Sequence, residues 1–475
     1  MYPDRKVVTF RGFSMSRSDR VLFISAGMAR PKKRDHPLAR RQLYLNYGAL
    51  TLATLLSHHG VPAVLLHGSH NSPSFTLAVA RDQGLIPSRF PVMLSLPSFY
   101  ALSWAQEFCR LLRAADPASR IVVGGRWVTG PDPEWLKGKL SQVDVIVPGL
   151  GEEAIGGLVG LPIEAARQSA DRQIPTFPLD HQLVQGFDAF QPSVEVSRGC
   201  GMGCAFCEER DIPLSRLRDP VLIADHLEII RDQYAGGEIH PYLQSSFFLP
   251  NVRWAAALNK EVRRRKLDIA WRCESRVDAL KPETVELLAA SGLKVIDLGL
   301  ETASPGQIVA MNKANNVDRY LRSASDLLNS CQANGVWVKA NVLLYAGETE
   351  RTVSETRGWL DQHADAIKGV SVGPVVVYGP PRLARSLIDD LASRGGRILD
   401  ADAADQTGIS AIHPSAEMDA NAAERISIGL SRRYMNKDDY FDLKSFSYYP
   451  RGFSRREFEA DVMASDECTL PFRAA

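Results

Sequence analysis

The sequence predicts an α/β protein built from two parallel-sheet units: a five-stranded, doubly wound, Rossmann-like sheet, then a partial (β/α)6 barrel with a C-terminal extension. Three observations carry this prediction. Five short apolar runs alternate with helical stretches through the first 160 residues, and six more alternate with helices between about 190 and 380. At the start of that second series, three of the chain's seven cysteines fall within eight residues. A length of 475 residues gives each unit enough chain for its own core. With 56 Lys and Arg against 55 Asp and Glu, the formal charge is +1, which argues against bulk electrostatic capture of nucleic acid or an anionic membrane.

Residues 1–18 read as a tail. It carries Asp4, Arg5 and Lys6 and has no seven-residue apolar run, so it does not read as a secretory signal, and a cytoplasmic protein is expected. The first unit spans 19–160. Its apolar runs are Val21–Ser25, Ala63–Leu66, Val92–Ser95, Ile121–Val123 and Val143–Val147, with helices such as Leu43–Ser57 and Ser103–Ala115 between them. Runs that are apolar throughout fit parallel strands covered on both faces. The stretch from Gln42 to Ala80 carries no charge, yet Asn46, Gly48, Thr51 and Thr54 interrupt it and Ser57 to Pro62 breaks it, so no membrane span is expected. Ligands of such sheets bind beyond the strand ends. There this chain places Ser95-Leu96, Gly124-Gly125 and Gly149-Leu150-Gly151-Glu152. Tight strand-to-helix turns are the other reading of these glycines. The basic run Lys32-Lys33-Arg34 after the first strand reads as a solvated face or an anion contact.

Residues 161–190, with Pro162, Pro175 and Pro178, read as a linker. The second unit spans 191–380. Its strands are expected at Ser193–Val196, His240–Phe247, Asp268–Cys273, Lys294–Leu300, Val336–Leu343 and Val370–Val377, with helices near 219–234, 251–266, 281–291, 315–334 and 350–362. Residues 381–475 then read as a cap or substrate cover, with Tyr434, Tyr440, Phe441, Tyr448, Tyr449 and Arg451 in its later part.

Cys200, Cys204 and Cys207 form C-x-x-x-C-x-x-C directly after the first barrel strand. Three thiolates on a short loop can grip three irons of a cubic 4Fe–4S cluster and leave the fourth iron open. Structural zinc wants a closed set of four ligands, and no fourth Cys or His lies between Cys207 and His226. A disulfide would strand one thiol and is disfavoured in a reducing compartment. A four-cysteine electron-transfer cluster would need a distant partner such as Cys273 or Cys331. Cys109, Cys331 and Cys468 sit among helical or terminal residues and read as inert.

The strand, the three-cysteine motif and the aromatic Phe206 before the last cysteine resemble the radical S-adenosylmethionine (SAM) superfamily. The resemblance covers about 190–380. It implies a 4Fe–4S cluster on Cys200, Cys204 and Cys207 that chelates SAM and cleaves it to a 5′-deoxyadenosyl radical. Phe206 matches the position near the adenine. Leu298-Gly-Leu-Glu301-Thr302-Ala-Ser304 is similar to the fourth-strand segment of the elongator-like and cobalamin-associated subgroup, whose Glu contacts SAM; the other reading of Glu301 is a rim carboxylate with a basic partner. Trp271-Arg-Cys-Glu-Ser-Arg276 resembles the third strand, whose Arg meets the cofactor carboxylate; the alternative for Arg276 is a structural salt bridge. Tyr345-Ala346-Gly347-Glu348-Thr349 resembles the fifth-unit P-G-E-T turn. The superfamily's G-G-E-P is absent: Gly236-Gly237-Glu238 lies before the second strand, and Gln244-Ser245-Ser246-Phe247 stands at its end. Gln244 and Asn341 complete the expected SAM contacts.

The first unit resembles the cobalamin-binding domain of cobalamin-associated radical SAM enzymes, with Tyr47-Gly48-Ala-Leu50 at their usual G-L position. This implies that Ser95, Leu96, Gly124, Gly125, Thr129, Gly149, Gly151 and Glu152 face a corrin. The cobalt-ligating D-x-H-x-x-G motif is missing; Asp35-His36 and His67-Gly-Ser-His70 have other spacings, and no cobalt ligand is assigned. Together the resemblances imply a cobalamin-dependent radical SAM methyltransferase, acting on an unactivated carbon or phosphorus of a small metabolite through methylcobalamin. The alternatives are a radical SAM cyclase or rearrangement enzyme with a different or absent corrin role, and a non-catalytic iron–sulfur protein. A reductant such as flavodoxin or ferredoxin is the implied partner. No catalytic residue is assigned.

Overall fold

A computed structural model describes residues 17–32, 34–161, 176–234 and 237–473. Lys33, Pro162, Pro175 and Gly236 lie outside the described residues, as does most of the 1–18 tail.

The first sheet contains β1 (Val21–Ser25), β2 (Ala63–His67), β3 (Val92–Ser95), β4 (Ile121–Gly124) and β5 (Val145–Ile146). All neighbours are parallel, in the order β2-β1-β3-β4-β5. Every residue of β1 is buried. Successive side chains feed opposite faces, because a strand alternates with period two. Leu22 and Ile24 join Trp104 and Phe108 in one core. Val21 and Phe23 join Leu50 and Leu56 in the other. The sheet is therefore covered on both sides, as its apolar runs predict. The first long helix starts at Tyr47 rather than Leu43, because the Asn46 side chain accepts the Ala49 N–H and caps it there. In the described part of the 161–190 segment, Leu179, Val184 and Phe190 pack into the Val21–Phe23 core.

The second sheet runs β11-β10-β9-β8-β7-β6, all parallel, and is open between β6 and β11. Its strands are β6 (Ser193–Glu195), β7 (Tyr242–Gln244), β8 (Trp271–Arg276), β9 (Leu293–Glu301), β10 (Trp337–Leu344) and β11 (Gly369–Pro374). Two expected strands are corrected. The third runs three residues further than its apolar part suggests: Arg272, Glu274 and Arg276 alternate on the inner face while Trp271 and Cys273 pack outward in the core. The last run splits after Pro374. Val376–Tyr378 (β12) leaves the barrel and pairs antiparallel with β14 (Ile409–His413), which also pairs with β13 (Arg397–Ile398).

The C-terminal helices Lys437–Ser447 and Arg455–Met463 share a core with Val295 and Trp337, at the N-terminal end of the barrel strands. Gly369 lets them approach, since a Cβ there would stand 2.8 Å from Met435 Sδ and 2.9 Å from Leu443 Cδ1. Among the described residues no helix is long and apolar enough to cross a membrane.

Candidate active site at the barrel mouth

The loop after β6 carries the three cysteines. It folds back on itself through Cys200 N–H to Ile212 O (2.9 Å) and Gly201 N–H to Glu209 O (3.2 Å). It is pinned across the mouth by Ala205 N–H to Met311 O (2.9 Å) and Asn312 Nδ2 to Gly203 O (2.7 Å). Gly199 makes the tight return possible: its φ is +78°, and a Cβ would lie 2.2 Å from Pro213 O.

All three cysteines are free thiols. The Glu209 N–H points at Cys207 Sγ (3.4 Å) and Arg276 Nη1 at Cys204 Sγ (3.3 Å). As a free thiol Cys207 is pushed up to about 11, first by burial and then by the charges of Cys200 and Cys204. Among the described residues no three His, Cys, Asp or Glu side chains close on a single ion. A three-cysteine loop with hydrogen bonds to its sulfurs and no fourth ligand fits the open 4Fe–4S cluster. The two distant candidates for a fourth ligand do not reach it: Cys273 and Cys331 are buried in the outer barrel core.

Around the loop, Glu301 ends β9 with φ +61°. The β9–β10 register shifts beside it, so Asn341 faces Gly299 and Val342 faces Glu301. This bulge turns the carboxylate back over Gly299, where a Cβ would stand 2.7 Å from Glu301 Oε1. A non-glycine residue held at positive φ stores strain, and such strain clusters at functional sites. Glu301 pairs with Lys313 Nζ at 3.2 Å, and that ammonium lies 5.8 Å from the Phe206 ring centre. Phe206 is half-buried, edge-on to Tyr345. Arg276 has a full set of protein partners: Asp278 (3.0 Å), Cys204 Sγ and Lys313 O (2.7 Å). Gln244 and Asn341 face the lumen half-buried.

The first sheet's strand ends face this mouth. Glu152 Oε1 meets Arg198 Nη2 at 2.8 Å, and Arg198 Nε meets Glu195 Oε1 at 2.7 Å. Arg126 lies 3.9 Å from Glu209 on the cysteine loop. Of the eight expected corrin-facing residues, only Gly124 and Gly149 open onto free space. The other six are engaged by protein. Ser95 accepts from Asn46 Nδ2 (3.0 Å), Leu96 is buried, and Gly125, at φ +127°, backs onto Leu96 O. Thr129 Oγ1 donates to Val147 O (2.9 Å), a Cβ on Gly151 would meet Leu52, and Glu152 holds Arg198. His36 caps a helix turn through Nδ1, and the His67 ring lies tilted against Phe190, 4.7 Å between centres. Arg34 pairs with Glu424 at 2.9 Å.

Sequence reasoning missed the partner Asp278 and the polar inner face of the barrel; Met311-Asn312-Lys313 stands after Glu301 at the spacing of the resembled subgroup, and Lys313 is the basic partner of that carboxylate. The alternations Arg272-x-Glu274-x-Arg276, Asp297-x-Gly299-x-Glu301 and Lys339-x-Asn341 hold the signal that would have found that face.

Residues 194–360 match the sequence profile of the Radical SAM superfamily. The bacteriochlorophyllide d C-12(1)-methyltransferase of Chlorobaculum tepidum is 26% identical over 125 residues, which are 25% of this chain and 26% of that protein. The matched stretch thus spans about a quarter of that relative's length. The solved structure of the radical SAM methyltransferase TsrM from Kitasatospora setae, with tryptophan substrate and a SAM analogue bound, is similar at TM-score 0.56 and 17% identity, over 75% of this chain and 73% of that one. OxsB, a cobalamin-dependent SAM radical enzyme solved with aqua-cobalamin and SAM, is similar at TM-score 0.56 and 15% identity, over 73% of this chain and 52% of that one. At such identities these two show a common fold. The matched profile lies over the strands that carry the three cysteines, Arg276 and Glu301, so it is this barrel segment of the chain that is similar to the Radical SAM superfamily.

Proposed function

We propose that the chain is a cobalamin-dependent radical SAM methyltransferase acting on an unactivated carbon or phosphorus centre of a small molecule. The observation that carries this reading is the facing of two elements: the three-cysteine loop at the barrel mouth and the strand ends of the five-stranded sheet, joined by the Glu152–Arg198–Glu195 chain. A flat ligand against Gly124 and Gly149 would look onto the cluster loop. Cys200, Cys204 and Cys207 would hold three irons, with Phe206, Gln244, Glu301 and Asn341 lining the SAM site. Arg276, tied to Asp278 and to a cysteine sulfur, would orient the loop and offer its charge to the SAM carboxylate. When bound, the cluster supplies the electron that cleaves SAM and the corrin carries the methyl group. The protein's part is to align these groups and to exclude water. TsrM and the Chlorobaculum tepidum protein are methyltransferases by name, which supports this reaction over ring closure.

Anaerobic reconstitution of the full chain tests this. The expected outcome is about four irons per chain, corrin absorbance in the bound fraction, and formation of 5′-deoxyadenosine and S-adenosylhomocysteine with a low-potential donor such as flavodoxin or ferredoxin. SAM cleavage surviving in Cys204→Ala would overturn the reading. Turnover without S-adenosylhomocysteine would replace methyl transfer by rearrangement.

A further inference from the structure

The inner face of the barrel below the mouth carries charged side chains. On β10 the inward residues Lys339 and Asn341 are half-buried, while their outward neighbours Val338, Ala340 and Val342 are buried. On β8 Glu274 is likewise half-buried between buried neighbours. A closed (β/α)8 barrel packs this space with layers of aliphatic side chains; here polar groups form the floor.

Two cations share one carboxylate on that floor. Lys339 Nζ lies 2.5 Å from Asp297 Oδ1, which leaves Arg272 Nη1 at 3.5 Å from Asp297 Oδ2. The second carboxyl, Glu274, is taken by the Tyr242 hydroxyl, and burial raises its pKa, favouring the uncharged form. Arg272 is 5% exposed and stacked between the rings of Tyr242 (3.9 Å) and Tyr448 (4.6 Å). Its Nε is buried with no hydrogen-bond partner among the described residues. An orphaned charged N–H costs stability, so a site that keeps one is set for an incoming acceptor. The walls are aromatic and come from both ends of the chain: Tyr448 follows the C-terminal helix, and Tyr44, half exposed, leads into the first sheet's helix with its ring 5.1 Å from that of Tyr448.

We propose that Arg272 and Lys339 form a subsite for the carboxylate of a small aromatic or unsaturated organic acid, whose body lies along Tyr44 and Tyr448 toward the cysteine loop. This rests on the reading of the barrel as the reaction chamber, and it names the substrate class of that chamber. Asp297 and Glu301 are four residues apart on β9, so floor and mouth are separated by about 13 Å at a strand's rise. A molecule of about 10 Å would therefore anchor at the floor and present its far end to the mouth.

The test is calorimetric titration of the reconstituted full chain, with SAM present, using 4-phenylbutyrate and its neutral analogue 4-phenylbutyramide. The acid is expected to bind about tenfold or more tightly than the amide, as a charge-assisted contact requires. Lys339→Gln and the milder Arg272→Lys should each shrink that preference below about threefold, while the surface variant Lys260→Gln should keep it. Thermal melts identify a variant that fails to fold, and either remaining variant then decides. Equal binding of acid and amide, binding of neither, or a preference that survives in a folded Lys339→Gln would overturn the proposal. The same wild-type samples are assayed for 5′-deoxyadenosine. Cleavage of SAM without an acid preference sinks the subsite alone, whereas an acid preference without cleavage sinks the cofactor reading alone.

Discussion

The two parallel sheets solve opposite problems. The five-stranded sheet buries both faces, so β1 is buried at every position and apolar from Val21 to Ile24, and any chemistry is confined to the strand ends. The six-stranded sheet buries one face and leaves the other to a lumen. Polar residues therefore run along its strands, from Arg272 and Asp297 on the floor to Arg276 and Glu301 at the mouth. One sheet is a scaffold with an active edge; the other carries chemistry through its depth. Substitutions should separate the two.

The largest expected effect is at the mouth. Cys204→Ala should abolish SAM cleavage and cut bound iron sharply, while the secondary structure of both sheets, followed by circular dichroism, stays intact. A folded variant with wild-type iron content would break the contrast, since function would then not reside in the loop. The converse is a scaffold change. Ile24→Ala on β1 removes a fully buried side chain packed in the Trp104 and Phe108 core, at a cost of about 4 kcal/mol. The denaturant midpoint should fall for the first sheet, while the cluster still assembles in the molecules that remain folded.

The same difference decides what the sequence reveals. The Val21–Ser25 run is legible because burial on both faces demands an unbroken apolar string. The cysteine loop is legible because its spacing is a chemical constraint on a single short segment. The third barrel strand is blurred in its pattern for a physical reason: its apolar part ends at Cys273, and it is the resemblance of Trp271 to Arg276 rather than the hydrophobic run that puts Glu274 and Arg276 on the strand. The floor is the least legible part. Arg272 and Lys339 lie on different strands, and Tyr44 and Tyr448 come from opposite ends of the chain, so nothing local reports their meeting. At the sheet edge, spacing puts Gly124 and Gly125 side by side at a strand end but cannot tell Gly124, which opens on space, from Gly125, which backs onto Leu96.

The join between the sheets should show an intermediate effect. Glu195 is buried and held by Arg198 through both oxygens, at 2.7 and 3.0 Å, with Arg218 at 4.0 Å as its other cation. Arg198→Met would leave that carboxylate under-compensated, and about 3 kcal/mol should be lost. Glu152→Gln removes only the outer partner, which is more exposed, and should cost less than about 1 kcal/mol. Equal losses in chemical denaturation would show that the two sheets depend on this chain as a unit rather than on its buried end.

An effect smaller than the Arg198 loss is a pH slope belonging to the barrel half alone. Glu348, in the turn after β10, is 2% exposed; it accepts from the Thr352 hydroxyl, and burial pushes its pKa up to about 7. A carboxyl raised in the folded state binds its proton more tightly there than in the unfolded chain. Stability is then highest below the unfolded value and falls as pH rises toward about 7, where the buried group must ionise. Between pH 5 and pH 7 this amounts to on the order of 2 kcal/mol. Glu348→Gln keeps the shape and an oxygen for Thr352 but cannot ionise. Its stability should lack that slope, so that the variant gains on the wild type as pH rises from 5 to 7. The Ile24→Ala protein, altered in the other sheet, should keep the wild-type slope. A slope unchanged in Glu348→Gln would move the titrating group elsewhere and remove the barrel's buried carboxyl from the contrast.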